Sequence, residues 1–407
     1  MSAHLGRRGG RFGSGLAQRI SGAGGMGLVP AYAAKVSPFA IGGKLLRVNW
    51  LFVLAVCGLA AIGYAALYSA AGGHAEPYAE PQLVRFFGAL LMMLSIAMID
   101  IRVLARASWV LWAIGVVLLA AVWKFGHVGL GAKRWLDLGP VHVQPSEFMK
   151  LFLAMALAAW FHRASHERVG NPIFLLPAVA AILVPAGLII KEPNLGTAVI
   201  TMAIGGAVLF AAGVRWWKFV IVIALVAAAA PFVYAHLHGY QRERILTFLH
   251  PGRDPLGAGY NIIQSKIALG AGGMWGQGFL HGTQSQLNFL PEKQTDFIFT
   301  VIAEEFGFAG AIGVIGLLFS MCWMALYTAL SCRHQYGRLL GVGIAADLFL
   351  YCFVNLAMVM GLIPVGGVPL PLISYGGSAQ TAVMLAFGVL MSIHVHRDVE
   401  FERRDDG

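Results

Sequence analysis

The stretch Asn288-Phe-Leu-Pro-Glu-Lys-Gln-Thr-Asp-Phe-Ile-Phe299 ends a long polar segment and opens an apolar run too long for a soluble core helix. Asp296 therefore stands at a boundary between water and lipid, with Glu292 and Lys293 beside it. A partly desolvated carboxylate holds a proton more tightly than a solvated one, which suits it to general-base work. Thr295-Asp296 is also good N-terminal helix chemistry. On these residues alone, capping and catalysis account for Asp296 equally well.

Other charged residues sit at comparable depth. Glu147 and Lys150 open an apolar run at spacing i,i+3, on one helix face. Charges at membrane depth are costly and face a cavity or each other, so a structural ion pair is the favoured role for these two. Lys191 and Glu192 lie at another boundary, in Lys191-Glu-Pro-Asn-Leu-Gly-Thr197. Glu304 and Glu305 follow Asp296 by eight and nine residues. On a helix that is roughly 12–14 Å deeper, where they would tune a site or pair structurally. Asp347 and Asn355, inside a later apolar run, invite the same reading. The glycines at 270–278 lack the spacing and the βαβ setting of a nucleotide fingerprint, so a turn-rich loop explains them better. His236 and His238 point to different helix faces and make a poor metal pair. No metalloprotease, kinase or Ser-His-Asp signature is present.

The elements that hold these residues follow from composition. Of 407 residues, 58% are apolar and 12% charged, which excludes a soluble domain. Ten runs are long and apolar enough to cross a bilayer as helices: 49–71, 84–99, 107–125, 147–163, 172–190, 197–213, 216–237, 297–328, 338–362 and 374–395. The fourth and sixth carry the weakest signal, and the eighth must tilt or extend beyond the bilayer. The expected fold class is an all-α polytopic membrane protein of about ten transmembrane helices with one large extracytoplasmic loop.

The net charge of +10 is explained by topology, not by nucleic acid. Residues 1–48 hold Arg7, Arg8, Arg11, Arg19, Lys35, Lys44 and Arg47 and no acid. With that tail in the cytoplasm, Arg102/Arg106, Arg163/Arg168, Arg215/Lys218, Arg333/Arg338 and Arg397/Arg403/Arg404 also fall on the cytoplasmic side, the positive-inside pattern. Both termini are then cytoplasmic. The expected division is a disordered basic tail over 1–44, a membrane domain over 45–397 and a short cytoplasmic tail over 398–407. Cys57, Cys322, Cys332 and Cys352 show neither metal-ligand spacing nor an extracellular pairing pattern.

Two outer segments are long, 126–146 and 238–296, and loops of the second length usually carry function. Within the second, 260–269 can form an amphipathic helix at the membrane surface. A third outer segment, Pro364-Val-Gly-Gly-Val-Pro-Leu-Pro-Leu-Ile-Ser-Tyr-Gly-Gly-Ser378, is dense in Pro and Gly. Irregular backbone at membrane depth must lie against protein or line a wet cavity. This loop should therefore re-enter the bundle and wall a site, which makes Ser374 and Tyr375 candidate substrate contacts.

Taken together these segments resemble the SEDS family (shape, elongation, division and sporulation proteins), its RodA branch in particular. The resemblance runs from about 45 to 397. It rests on Lys133-Arg-Trp-Leu-Asp-Leu-Gly139, Gln144-Pro-Ser-Glu-Phe-Met-Lys150, Glu192-Pro-Asn-Leu-Gly-Thr197 and Tyr240-Gln-Arg-Glu-Arg244. It continues through Asp254-Pro-Leu-Gly-Ala-Gly-Tyr260, Gly282-Thr-Gln-Ser-Gln286, Leu290-Pro-Glu-Lys-Gln-Thr-Asp-Phe-Ile-Phe299, Asn355-Leu-Ala-Met-Val-Met-Gly-Leu-Ile-Pro364 and Gly367-Val-Pro-Leu-Pro-Leu-Ile-Ser-Tyr-Gly-Gly-Ser378. Gly282-Thr-Gln-Ser-Gln-Leu287 looks like RodA rather than its division relative FtsW. Gln294, Asn194 and Asn288 depart from the family's frequent His, Asp and acid, and the last two weaken an acidic metal or proton-relay cluster.

The resemblance implies a peptidoglycan glycosyltransferase of the bacterial cytoplasmic (inner) membrane that polymerises lipid II during cell elongation and so determines rod shape. The 4-hydroxyl of one sugar attacks the anomeric carbon of another, with inversion, and undecaprenyl pyrophosphate leaves. Asp296 is the expected base. Arg244, Arg242, Lys191, Lys133 and Arg134 are candidate cations for the pyrophosphate, Glu292 and Lys293 are further candidate substrate contacts, and a divalent cation (Mg or Mn) could contribute. The implied partners are a class B penicillin-binding protein (a transpeptidase) and the elongation machinery of the cell wall. Two other classes stay open: a lipid II flippase, which would not need a boundary carboxylate in a long outer loop, and a non-catalytic scaffold for a transpeptidase, which would tolerate replacement of Asp296.

Overall fold

The computed structural model describes residues 41–129, 132–137, 139, 142–162, 164–235, 242, 246, 248, 259–287 and 289–399. The basic tail before residue 41, most of 236–258, Arg244 and Asn288 lie outside the described residues. The chain divides into two units at Leu46/Arg47. Of the first, the described element is a short helix, α1 (Ile41–Leu46).

The body beginning at Arg47 contains ten long helices among its described residues, one for each apolar run. They are α2 (Trp50–Ala70), α3 (Ala79–Ala97), α4 (Ile101–Phe125), α5 (Pro145–Phe161), α7 (Pro172–Lys191), α8 (Leu195–Ala211), α9 (Trp216–Ala235), α12 (Ile298–Leu330), α13 (Gln335–Val359) and α14 (Gly377–Val395). Shorter helices are α6 (His166–Val169), α10 (Tyr260–Ala271) and α11 (Thr283–Gln286). Seven of the ten are long and apolar enough to cross a membrane by length and composition. The two runs of weakest signal became α5 and α8, at 17 residues each. Helix starts follow local chemistry: the side chains of Asn49, Asp100, Asn171, Asn194 and His334 each accept a backbone N–H at the first turn of α2, α4, α7, α8 and α13.

The centre of the body is α5, α13 and α14; most of α14 is buried, whereas the peripheral α4 leaves most of its surface exposed. Apolar side chains such as Leu91, Val117, Phe319 and Trp323 remain exposed on the outside. A continuous apolar belt around polar-capped helices is the surface a bilayer requires.

One element departs from the all-α expectation. Part of segment 126–146 forms a small antiparallel sheet, β1 (His127–Gly129), β2 (Ala132–Asp137) and β3 (His142–Val143), in the order β1-β2-β3. Its strands are two to six residues long, too short for a period-2 pattern to stand out in sequence.

The eighth run solves its excess length by breaking. At Gly307 (φ 65°, ψ −165°) α12 leaves the helical conformation. The loop after α10 is stitched into the break: Gln277 and Gly278 donate N–H to the Glu304 and Glu305 carbonyls at 3.0 Å each. Phe308 and Ala309 donate to the Gly273 and Met274 carbonyls at 2.9 and 3.1 Å. Contact is so close that a Cβ at Gly272 would stand 2.0 Å from the Ala303 carbonyl oxygen, and one at Gly276 2.1 Å from that of Glu305. Gly272 and Gly276 thus serve backbone approach to a broken helix.

Candidate active site

Asp296 lies in the turn 291–297, and the N-cap position of α12 is Phe297, so Asp296 stands one residue outside the helix. The turn closes on Glu292, a residue at φ 54°. Its carbonyl accepts the N–H groups of Thr295 and Phe297 at 3.1 and 3.3 Å, and its carboxylate accepts the Thr295 hydroxyl at 2.9 Å. Glu292 therefore shapes the turn. Asn355, buried in α13, donates one amide group to both the Asp296 carbonyl (2.9 Å) and the Val368 carbonyl (2.7 Å). That bond joins the turn to the Pro/Gly-rich loop. Gly367 of this loop, at φ 63°, faces the half-buried carboxylate: a Cβ there would stand 3.8 Å from Asp296 Oδ2.

The loop re-enters the bundle. Val368, Leu370, Leu372 and Ile373 are buried, and Gly63 of α2 abuts the Leu372 and Ile373 backbone. Several of its polar groups are paired within the protein, as irregular backbone at depth requires. Ser374 Oγ accepts Leu370 N–H at 2.7 Å, the Ser374 carbonyl accepts Gln82 Nε2 of α3 at 3.0 Å, and Tyr375 N–H donates to the Gln294 carbonyl at 2.8 Å. Ser374 is thus a buried loop tie. Tyr375 is half-buried, with the Arg85 guanidinium 5.3 Å from its ring centroid. Arg85, exposed in α3, was not among the cations expected from sequence. Arg85 stands at the start of the apolar run 84–99, and nothing in its sequence neighbourhood gave it a role.

The turn after α7 forms the adjoining wall. A Cβ at Gly196 would stand 2.9 Å from the Gly366 carbonyl oxygen. Arg134, on β2, donates to the Glu192 carbonyl at 3.2 Å and to the Pro193 carbonyl. Asn194, where the family often has Asp, caps α8 through Thr197 N–H. Lys191 Nζ lies 5.5 Å from the Trp123 ring centroid, and Lys133 and Arg242 are exposed. Glu192 itself is 2% exposed, and its carboxylate oxygens have no hydrogen-bond partner among the described residues. Burial pushes its carboxyl up to about 8, against the opposing pull of Arg134.

A carboxyl whose folded pKa is raised holds its proton in the folded protein while the unfolded chain releases it. Stability contributed at low pH is lost as pH rises from the ordinary Glu range of about 4.3 to about 8. Glu192→Gln is therefore expected to raise the melting temperature at pH 8–9 and to leave it unchanged at pH 4. Parallel melting curves for wild type and variant across that range would exclude the effect.

Two further groups of charges lie inside the body. Lys293 is buried, and burial pulls its ammonium below the usual lysine range against the attraction of Glu304 and Glu305. Glu147 and Lys150 pair at 2.9 Å, 5% and 2% exposed, and the Tyr351 hydroxyl bonds to both. Among the described residues no three His, Cys, Asp or Glu side chains are grouped to hold a metal, so no ligand set is assigned to a divalent ion.

The geometry thus ties the Asp296 turn to the loop of Gly367 and Tyr375, with Arg85 of α3 beside the Tyr375 ring and Arg134 and Glu192 on the adjoining wall. Comparison with known proteins agrees with the motifs. The family model for FtsW, RodA and SpoVE, described as cell cycle protein, matches residues 46–399. The peptidoglycan glycosyltransferase MrdB of Escherichia coli K12 is 43% identical over 343 residues, 83% of this chain and 92% of that protein. The probable peptidoglycan glycosyltransferase FtsW of Trichlorobacter lovleyi is 35% identical over 361 residues, 86% of this chain and 94% of that protein. Among solved structures, a chain of a peptidoglycan synthase complex that coordinates polymerization and crosslinking superposes with a TM-score of 0.72 at 32% identity, covering 86% of this chain and 98% of that one. Rod shape determining protein RodA of Thermus thermophilus superposes with a TM-score of 0.66 at 27% identity, covering 87% and 98%. With its ten-helix body, its re-entrant loop and these matches over most of its length, the chain belongs to the FtsW/RodA/SpoVE family of cell cycle proteins, the SEDS family.

Proposed function

We propose that this chain polymerises lipid II, with Asp296 as the general base that takes the proton from the acceptor sugar's 4-hydroxyl. The chain is a peptidoglycan glycosyltransferase by family, at 43% identity to MrdB. The observation that carries the residue assignment is the setting of Asp296. Its carboxylate is half-buried against the backbone of a re-entrant loop, and its main chain is pinned by Asn355. A sugar hydroxyl is a poor nucleophile, so proton removal must accompany bond formation, and a fixed, partly desolvated carboxylate meets that need. Displacement is direct: the anomeric carbon inverts, and undecaprenyl pyrophosphate departs without a sugar–enzyme bond.

The departing pyrophosphate needs fixed positive charge. Arg85 beside Tyr375, and the exposed Lys133, Lys191 and Arg242, are the cations offered for it. Arg134, bonded to the 192–193 backbone, contributes charge from a rigid position. Arg244 is a further candidate on sequence grounds. A chain similar to this one works in a complex of polymerization and crosslinking. That supports a class B penicillin-binding protein as partner, and the likeness to RodA supports a role in rod shape. Lipid II polymerisation by purified protein, alone and with its transpeptidase, tests the reading. Glycan strands are expected from the pair. Lipid translocation without polymer would make the chain a flippase, and neither product would make it a scaffold.

The Arg and Lys asymmetry supports a cytoplasmic-membrane topology with both termini in the cytoplasm and the Asp296 end outside. Thr283→Cys and Ser331→Cys, both at exposed positions, should respectively react and not react with an impermeant thiol reagent applied to spheroplasts. The opposite labelling would reverse the orientation.

A further inference from the structure

Lys293 precedes Asp296 by three residues in the same turn and is 8% exposed. Its ammonium donates to the Ser285 carbonyl at 2.5 Å, in the field of Glu304 and Glu305. Glu304, wholly buried, accepts the N–H groups of Gln284 (2.7 Å) and Ser285 (3.1 Å) and the Thr283 hydroxyl (3.3 Å), so it holds α11. Glu305, 1% exposed, accepts the hydroxyl of Ser69 at the end of α2. Gln286 reaches back to the Ser69 carbonyl at 3.1 Å. Four segments therefore meet on one lysine and two carboxylates: the Asp296 turn, α11, the first part of α12 and the end of α2. The same part of α12 carries the backbone stitch at the Gly307 break.

A buried charge network of this kind adds little stability over apolar residues of equal volume. What it provides is direction, because hydrogen bonds to charged groups hold one geometry where apolar contacts allow several. Its link to the candidate base is Lys293, whose turn closes at the positive φ of Glu292. We propose that Lys293 is a positioning residue for Asp296: its bond to the Ser285 carbonyl of α11, a helix that Glu304 holds, sets the turn, and the Glu305–Ser69 and Gln286–Ser69 bonds bring α2 into that restraint. The inference rests on Asp296 being the base.

Removing Lys293 alone would leave two buried carboxylates unbalanced and threaten the fold. The informative variant is Lys293→Met with Glu305→Gln, which restores charge balance and keeps an acceptor for Ser69. At an unchanged melting temperature its kcat on lipid II should fall about a hundredfold, the scale of a small misplacement of a reacting group, with KM unchanged. Lys293→Arg keeps the charge and should retain most of the turnover. Ser69→Ala, which touches neither turn nor substrate, should lower kcat about tenfold with KM unchanged, and it reports on the network even if the double variant does not fold. Wild-type kcat in the double variant or in Ser69→Ala overturns the proposal. So does a rise in KM at constant kcat, which would make Lys293 a substrate contact, or a loss in Lys293→Arg as deep as in the double variant. Asp296→Asn assayed alongside separates the two readings: near-normal polymer there removes the base itself, whatever the Lys293 variants do.

Discussion

Asp296→Asn is expected to abolish glycan synthesis by the purified protein while folding and partner binding stay intact. The change is close to isosteric, and the contacts that fix the turn are made by the Asp296 carbonyl, the Glu292 backbone and Lys293. Those survive the substitution. What is lost is a group that can accept a proton as the glycosidic bond forms, a loss on the order of 10²–10⁴ in rate. Polymer length on a gel, at matched melting temperature and partner occupancy, measures it. Near-normal strands from a folded Asn variant would sink the base assignment. An unfolded Asn variant would make Asp296 a structural residue.

Lys150→Met is expected to cost about 3–5 kcal/mol of stability, since it leaves Glu147 buried beside Tyr351 without its cation. The pair sits at the start of α5, buried where that helix packs between α4, α8 and α13. Charge balance, more than the pair's attraction, is at stake. Glu147→Gln with Lys150→Met should therefore recover most of the melting temperature in detergent, although each single variant loses it. A Lys150→Met protein as stable as wild type would show that Glu147 needs no partner there.

The motifs and apolar runs were sufficient for the family, the ten helices and the re-entry of the 364–376 loop. The reason is that lipid leaves a chain few options. Every buried N–H and C=O must be paired, so each long apolar run becomes a helix, and a Pro/Gly-rich stretch at that depth must fold against protein. Caps at Asn49, Asp100 and Asn171 were equally local, because a side-chain oxygen needs only the next turn of its own helix.

What the local sequence left open was settled where distant segments meet. The sequence at Asp296 suited a helix cap, but the N-cap position fell at Phe297, and Gly367 came up against the carboxylate. Glu304 and Glu305 had no visible partners, because Ser69 is 236 residues from Glu305 and α11 is too short to announce itself. Arg85 joined the site only through Tyr375, a residue from the other end of the chain. The glycines at 270–278 read in sequence as a turn-rich loop, and the backbone contacts that loop makes came into view only where α12 broke at Gly307. Sequence alone determined which segments enter the membrane, since that depends on the hydropathy of each run by itself. Only the tertiary structure decided which charges face one another, since pairing depends on how helices far apart in the chain pack.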